Sequence, residues 1–135
     1  MTTTMIFVNL PVADLERAKK FWSGLGYEFN PQFTDENAAC LVFSDTIFAM
    51  LLRTEFFTTF TDKQVVDTAK STEVLLGLSA ESREAVDTLV DKAVASGGRE
   101  TRDPMDHGFM YQRTFEDPNG HNWEIIWMDP SQAQG

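Results

Sequence analysis

Leu10-Pro11-Val12-Ala13-Asp14-Leu15 and, further along the chain, Leu78-Ser79-Ala80-Glu81-Ser82 are one structural event written twice. In each an apolar run stops, a short step comes next, and a residue suited to capping opens a helix. Before the first step Met5 to Leu10 is apolar apart from Asn9, which predicts a buried strand. After it Leu15, Ala18, Phe21, Trp22 and Leu25 recur at helical spacing, with Arg17, Lys19 and Lys20 on the other face. Around the second step, Glu73 to Ser79 reads as a buried strand. Ala85, Val86, Leu89, Val90, Ala93 and Val94 then form the apolar stripe of a second helix. Both helices close on glycine, Gly24 and Gly26 in one case and Gly97-Gly98 in the other.

The elements after each helix also match. Tyr27 to Phe29 is a short strand stopped by Asn30-Pro31, and Ala38 to Phe43 and Thr46 to Leu52 are strands joined at Ser44-Asp45. After the second helix come Arg99 to Thr101, a loop from Asp103 to Gly108, and strands over Phe109 to Phe115 and Asn122 to Met128. Strand, helix and three strands thus occur twice, and an internal repeat takes precedence over other readings. The predicted fold class is α+β: two βαβββ modules, each a sheet with its helix on one face, meeting on a shared concave surface. The expected organisation is a single domain over 1–135, with module one at about 5–53, an insert at 54–72 and module two at about 73–128. In the insert Phe56, Phe57 and Phe60 sit among threonines, and Asp62 to Ala69 has the pattern of a short helix. Such a segment suits a flap or a dimer contact better than a flexible linker. The tail from Ser131 to Gly135 is expected to fray.

Composition narrows the function. A formal net charge of -10 argues against nucleic-acid binding, which wants a basic face, and favours cationic ligands. No apolar stretch reaches the length of a membrane span, so a cytoplasmic protein with no membrane or nucleic-acid partner is expected. The single Cys40 excludes an internal disulfide and reads as a small buried hydrophobe.

The terminal stretch Phe115-Glu116-Asp117-Pro118-Asn119-Gly120-His121-Asn122-Trp123-Glu124-Ile125-Ile126-Trp127 reads as two strands around a tight turn. Its second strand carries one carboxylate, Glu124, in an apolar and aromatic run. A charge there is costly unless it faces a partner, a metal or water.

With Asn9-Leu10-Pro11-Val12-Ala13-Asp14-Leu15-Glu16-Arg17-Ala18, Phe21-Trp22 and Leu25-Gly26-Tyr27 at one end and Phe115 to Gly120 leading to Glu124 at the other, the chain resembles the vicinal oxygen chelate superfamily. That superfamily includes glyoxalase I (lactoylglutathione lyase), fosfomycin-resistance enzymes, extradiol dioxygenases and bleomycin-resistance proteins. The resemblance implies a cupped sheet of the glyoxalase/bleomycin-resistance type, a homodimer, and a divalent metal (Zn, Ni, Mn or Fe) held by His, Gln or Glu from four strands. Carried over by position, the ligand sites fall on Phe7, Met50, Leu75 and Glu124. Only Glu124 has a donor suited to such ions, so the expectation is no cofactor, with Glu124 a metal ligand only if a metal binds.

Other candidates come from the residues themselves. His107 lies in a loop beside Asp106 and suits acid/base work, against the reading of a solvated loop histidine. His121 comes after Gly120 at an expected exposed position. Tyr111 and Arg113 alternate along a strand expected to line the cup, where Arg113 either holds a ligand carboxylate or pairs with Glu124. Trp22, Trp123 and Trp127 are expected between helix and sheet. The catalytic candidates are therefore Glu124, His107 and Tyr111, and the ligand-binding candidates Phe7, Asn9, Met50, Leu75 and Arg113. Two functions stand side by side. One is a protein that binds a small organic molecule in a metal-poor apolar cup, by sequestration. The other is a metal-dependent lyase or isomerase resembling lactoylglutathione lyase, with Glu124 as ligand or base.

Overall fold

At the first strand-to-helix step the backbone N–H of Arg17 donates to Asp14 Oδ1 at 3.0 Å, which fixes where helix α1 (Leu15–Gly24) begins. The computed structural model describes residues 1–131, so the tail expected to fray lies outside the described residues beyond Ser131. The chain divides into two compact units, Met1–Val66 and Asp67–Gly135.

In the first unit β1 (Ile6–Val12) precedes α1, and β2 (Glu28–Asn30), β3 (Ala38–Val42) and β4 (Ile47–Arg53) come after it. They form a four-stranded sheet in the order β1-β4-β3-β2, with β1 parallel to β4 and the other pairs antiparallel. Strand alternation sorts its side chains. Leu10 and Val12 share one face with Ala49, Leu51, Ala39 and Leu41, and all six are buried with Leu15, Ala18, Phe21 and Trp22 of α1. Phe7, Asn9, Phe48, Met50 and Cys40 fall on the other face. A short helix α2 (Thr54–Phe57) and a 3-10 turn at Thr58–Phe60 open the insert, with Phe60 69% exposed and its ring edge-on to Phe56. The helix expected over Asp62 to Ala69 is not formed; the segment is irregular, and Thr68 is drawn to the turn at Asn119 instead.

The second unit repeats the order with β5 (Leu75–Ser79), α3 (Arg83–Ala95), β6 (Arg99–Glu100), β7 (Met105–Asp106), β8 (Met110–Glu116) and β9 (Asn122–Met128). Its sheet runs β5-β9-β8-β6, with β7 also paired to β8. β7 is a departure, because Met105 and Asp106 were expected in a loop and instead pair with Gln112 and Tyr111. Ser82 caps α3 by accepting from the backbone N–H of Ala85 at 3.0 Å, and Gly97 leaves it at φ 112°. Val86, Val90 and Ala93 are buried with Phe115, Trp123 and Ile125, whereas Val94, expected in the same stripe, is 46% exposed. No helix among the described residues is long and apolar enough to cross a membrane.

Candidate functional site

The turn that carries the terminal motif is built around Asp117, which is 6% exposed. One carboxylate oxygen accepts the backbone N–H groups of Asn119 (2.8 Å) and His121 (3.1 Å), and the other accepts Trp123 Nε1–H at 2.9 Å. Burial pushes the Asp117 carboxyl upward, against the pull of His121 and these N–H donors. His121 is itself buried at 8% exposure, which corrects the exposed position expected for it. The turn tucks the residue after Gly120 inward, and Gly120 takes φ 83° to do so.

Glu124 comes next on β9 and points away from α3. In register it lies beside Gly77 of β5 and Thr114 of β8. Gly77 leaves its flank open, and a Cβ there would meet only Ile126 Cδ1 (3.3 Å) among side chains. The same face carries Leu75 and Ser79 from β5, Gln112 and Thr114 from β8, and Asn122 and Ile126 from β9. Glu124 is half-buried, and among the described residues its carboxylate has neither an ion pair nor a hydrogen-bond partner. A half-desolvated charge without a partner is the feature of this face that calls for a ligand.

Tyr111 and Arg113 do not join it. They lie on the α3 side of β8, because β8 begins at Met110 and its alternation puts Gln112 and Thr114 on the Glu124 face. The Tyr111 hydroxyl donates to Asp87 at 2.6 Å. Arg113 is held by Glu100 through two bonds of 2.9 Å and by Asp87 (2.9 Å) and Asp91 (3.1 Å), so the pairing with Glu124 does not form. The Tyr111 hydroxyl and the Arg113 guanidinium hold the Asp87 carboxyl below its usual range, and Arg113 does the same for Glu100. Asp87 and Asp91, four apart on one helix face, were the overlooked signal for this arginine's partners.

His107 is exposed and stands 6.4 Å from the Phe109 ring. Its neighbour Asp106 is taken by Arg83 through two bonds of 2.8 Å and by the backbone N–H of Gly108, which depress its pKa strongly. The Arg83 guanidinium also lies 5.1 Å from the ring centroids of both Tyr111 and Trp127. Trp22 and Trp123 are buried as expected, whereas Trp127 is only half-buried beneath Arg83.

In the first unit Phe7 is 54% exposed and stacks on Phe48 at 5.1 Å. Asn9 lies further along the same face, opposite Met50. This face offers apolar and aromatic surface, with the exposed Glu28 of the edge strand β2 as its carboxylate and no imidazole. Phe7, Met50 and Leu75 have no hard donor, and Glu124 alone cannot fix the geometry of Zn, Ni, Mn or Fe. Among the described residues no group of three or more His, Cys, Asp or Glu side chains is placed to hold a metal. The residues present do not fit the metal that the sequence resemblance implies.

Comparison with known proteins places this geometry. Residues 4–44 match the model of the bleomycin resistance protein-like N-terminal family. No curated protein matches the chain. Among solved structures, the hypothetical protein SA1046 from S. aureus has 25% identity and a TM-score of 0.78 over 94% of both chains. A glyoxalase-related enzyme from Fulvimarina pelagi has 20% identity and a TM-score of 0.78 over 93% of this chain and 88% of its own. The fosfomycin resistance protein FosX from Mesorhizobium loti has 14% identity and a TM-score of 0.71 over 98% of both chains.

Proposed function

We propose that this chain, which has the glyoxalase/bleomycin resistance/dioxygenase fold and an N-terminal sequence match consistent with the vicinal oxygen chelate superfamily, binds a small organic cation without metal chemistry. The observation that carries the reading is Glu124, a half-buried carboxylate with no partner among the described residues, on a sheet face where Leu75, Gly77, Thr114 and Ile126 are its neighbours and the polar Ser79, Gln112, Asn122 and Glu116 lie further out. Apolar contact supplies most of the affinity of such a site, and one well-placed charge supplies orientation. The net charge of -10 raises the local concentration of a cation. The first unit carries an apolar surface of its own at Phe7, Phe48 and Met50. Sequestration needs no more than this.

A metal-dependent lyase or isomerase resembling lactoylglutathione lyase is less well supported. It would need Glu124 as ligand or base and would find no hard donors at Phe7, Met50 and Leu75. A homodimer is part of the proposal, with the exposed Phe60 ring as a contact.

Two probes of the same shape and opposite charge test the reading. Tetraphenylphosphonium is expected to quench tryptophan fluorescence saturably, while tetraphenylborate binds at least tenfold more weakly. In Glu124→Gln the preference is expected to collapse, a change of about 1.4 kcal/mol for each tenfold. Equal affinity of the native chain for both ions would sink the proposal.

A further inference from the structure

On the Glu124 face polar and apolar residues are sorted along the strands. The cross-strand row of Gly77, Glu124 and Thr114 is followed by Ser79, Ile126 and Gln112. Beyond these come Met128 and Met110, with Met105 of β7 beside Gln112. We propose, building on the cation reading of Glu124, that this face binds a primary ammonium group carried on an unbranched alkyl chain.

Three side chains set the head of the ligand. Thr114 stands directly opposite the half-buried Glu124, about 5 Å away between Cβ atoms. Gln112 is the diagonal neighbour at about 7–8 Å, a gap that long side chains bridge. Thr114 is 3% exposed and Gln112 9%, and among the described residues neither side chain makes a hydrogen bond. Their polar atoms are nevertheless open at the face: among the described residues, the buried and unpartnered side-chain atom that is sealed from solvent is Asn122 Nδ2. A primary ammonium has three N–H donors and no acceptor. It can therefore meet the Glu124 carboxylate, the Thr114 hydroxyl oxygen and the Gln112 carbonyl oxygen at once. Gly77 adds no side chain beside Glu124, so β5 does not crowd the head.

Two features distinguish this arrangement from a site for any cation. No aromatic ring lies on this face of β8 and β9, since alternation sends Tyr111, Phe115, Trp123 and Trp127 to the α3 side. Quaternary ammonium groups are held by aromatic cages, and having no N–H they would leave the hydrogen bonds of Thr114 and Gln112 unmade. The second feature is that the alkyl chain has one way to run. Towards Asn122 it meets Glu116 already paired with Arg99, a charged pair rather than apolar surface. In the other direction it passes over Ile126 to Met110, Met105 and the 41% exposed Met128. Unbranched thioether side chains give an apolar surface that adapts to a flexible chain. From Glu124 to Met128 the strand rises about 13 Å, long enough to lie under an octyl group.

The test is calorimetric titration of the full chain, at constant ionic strength, with octylammonium, octyltrimethylammonium and octanoate. Octylammonium is expected to bind about tenfold more tightly than octyltrimethylammonium, and octanoate more weakly than either. Gln112→Leu and Thr114→Val, two changes that nearly keep side-chain volume, are each expected to cut the preference for octylammonium by about threefold. Octyltrimethylammonium should hold its affinity in both variants. If it binds the native chain as tightly as octylammonium, with both above octanoate, the ammonium assignment falls and the cation reading stands. Octanoate binding as tightly as the cations, or no binding of octylammonium, would overturn both. A preference for octylammonium unchanged in both variants would overturn the placing of its head.

Discussion

Replacing Arg113 by methionine tests how α3 is fastened to its sheet. The Arg113 side chain is 12% exposed and meets three carboxylates, with side-chain exposures of 27% for Glu100, 48% for Asp87 and 69% for Asp91. The two bonds to Glu100 form the least solvated pair, and charge-assisted bonds of this kind contribute about 1.5–3 kcal/mol. The pairs with Asp87 and Asp91 are wetter and add about 0–1 kcal/mol each. Methionine keeps part of the packing of the arginine stem but leaves three like charges facing one another. The expected loss is about 3 kcal/mol, a fall in Tm of about 10 °C for a chain of this size. The pH dependence gives a second readout. Asp87 and Glu100 have folded pKa values below their ordinary 3.8 and 4.5. Their contribution is therefore fully present above about pH 5 and is lost as the pH falls through the unfolded values toward the folded ones. Arg113→Met is expected to flatten the fall in Tm between about pH 5 and pH 3. Thermal unfolding followed by circular dichroism at pH 7, 5, 4 and 3 checks both parts. Parallel pH profiles for the two proteins, or a loss below about 1 kcal/mol at pH 7, would refute the reasoning.

Three further outcomes are expected. Gly120→Ala combines a φ of 83° with a Cβ 2.6 Å from Thr68 Oγ1, and should cost about 2–3 kcal/mol. Thr68→Ala in the same chain should recover part of that loss in denaturant unfolding, and an additive double mutant would contradict the contact. Protein incubated with Ni²⁺ or Zn²⁺ and then desalted is expected to retain less than one equivalent by elemental analysis; one equivalent lost in Glu124→Gln would reinstate the metal reading. In sedimentation at micromolar concentration the chain is expected to be a dimer that Phe60→Lys dissociates, whereas a monomeric native chain would remove the proposed contact.

The strand-to-helix steps were legible because capping, helical spacing and glycine stops are local and mutually consistent. Asp14 and Ser82 cap where their positions predicted, and Leu10, Val12, Phe21 and Trp22 are buried. The side of β8 on which Arg113 lies was not legible, because the alternation from Met110 to Glu116 puts apolar and polar residues on both faces. His121 was misplaced for a related reason. A turn motif predicts its backbone, while the burial of the residue after it depends on Asp117 gathering N–H groups from Asn119, His121 and Trp123. The failed helix over Asp62 to Ala69 is a tertiary override, in which Thr68 is held by Asn119, a residue distant in sequence.

Cys40 is the chain's only cysteine, lies in an interior strand of the first unit and is 3% exposed, with burial raising its thiol pKa. A thiol so placed reacts with a reagent such as Ellman's only when its strand opens. Its modification rate under native conditions is therefore a clock for opening of the first unit. The buried Trp123 indole, bonded to Asp117, reports on the second unit by a separate optical signal. Run together in mild denaturant, the two would tell whether the halves of this repeat come apart in one step or in two.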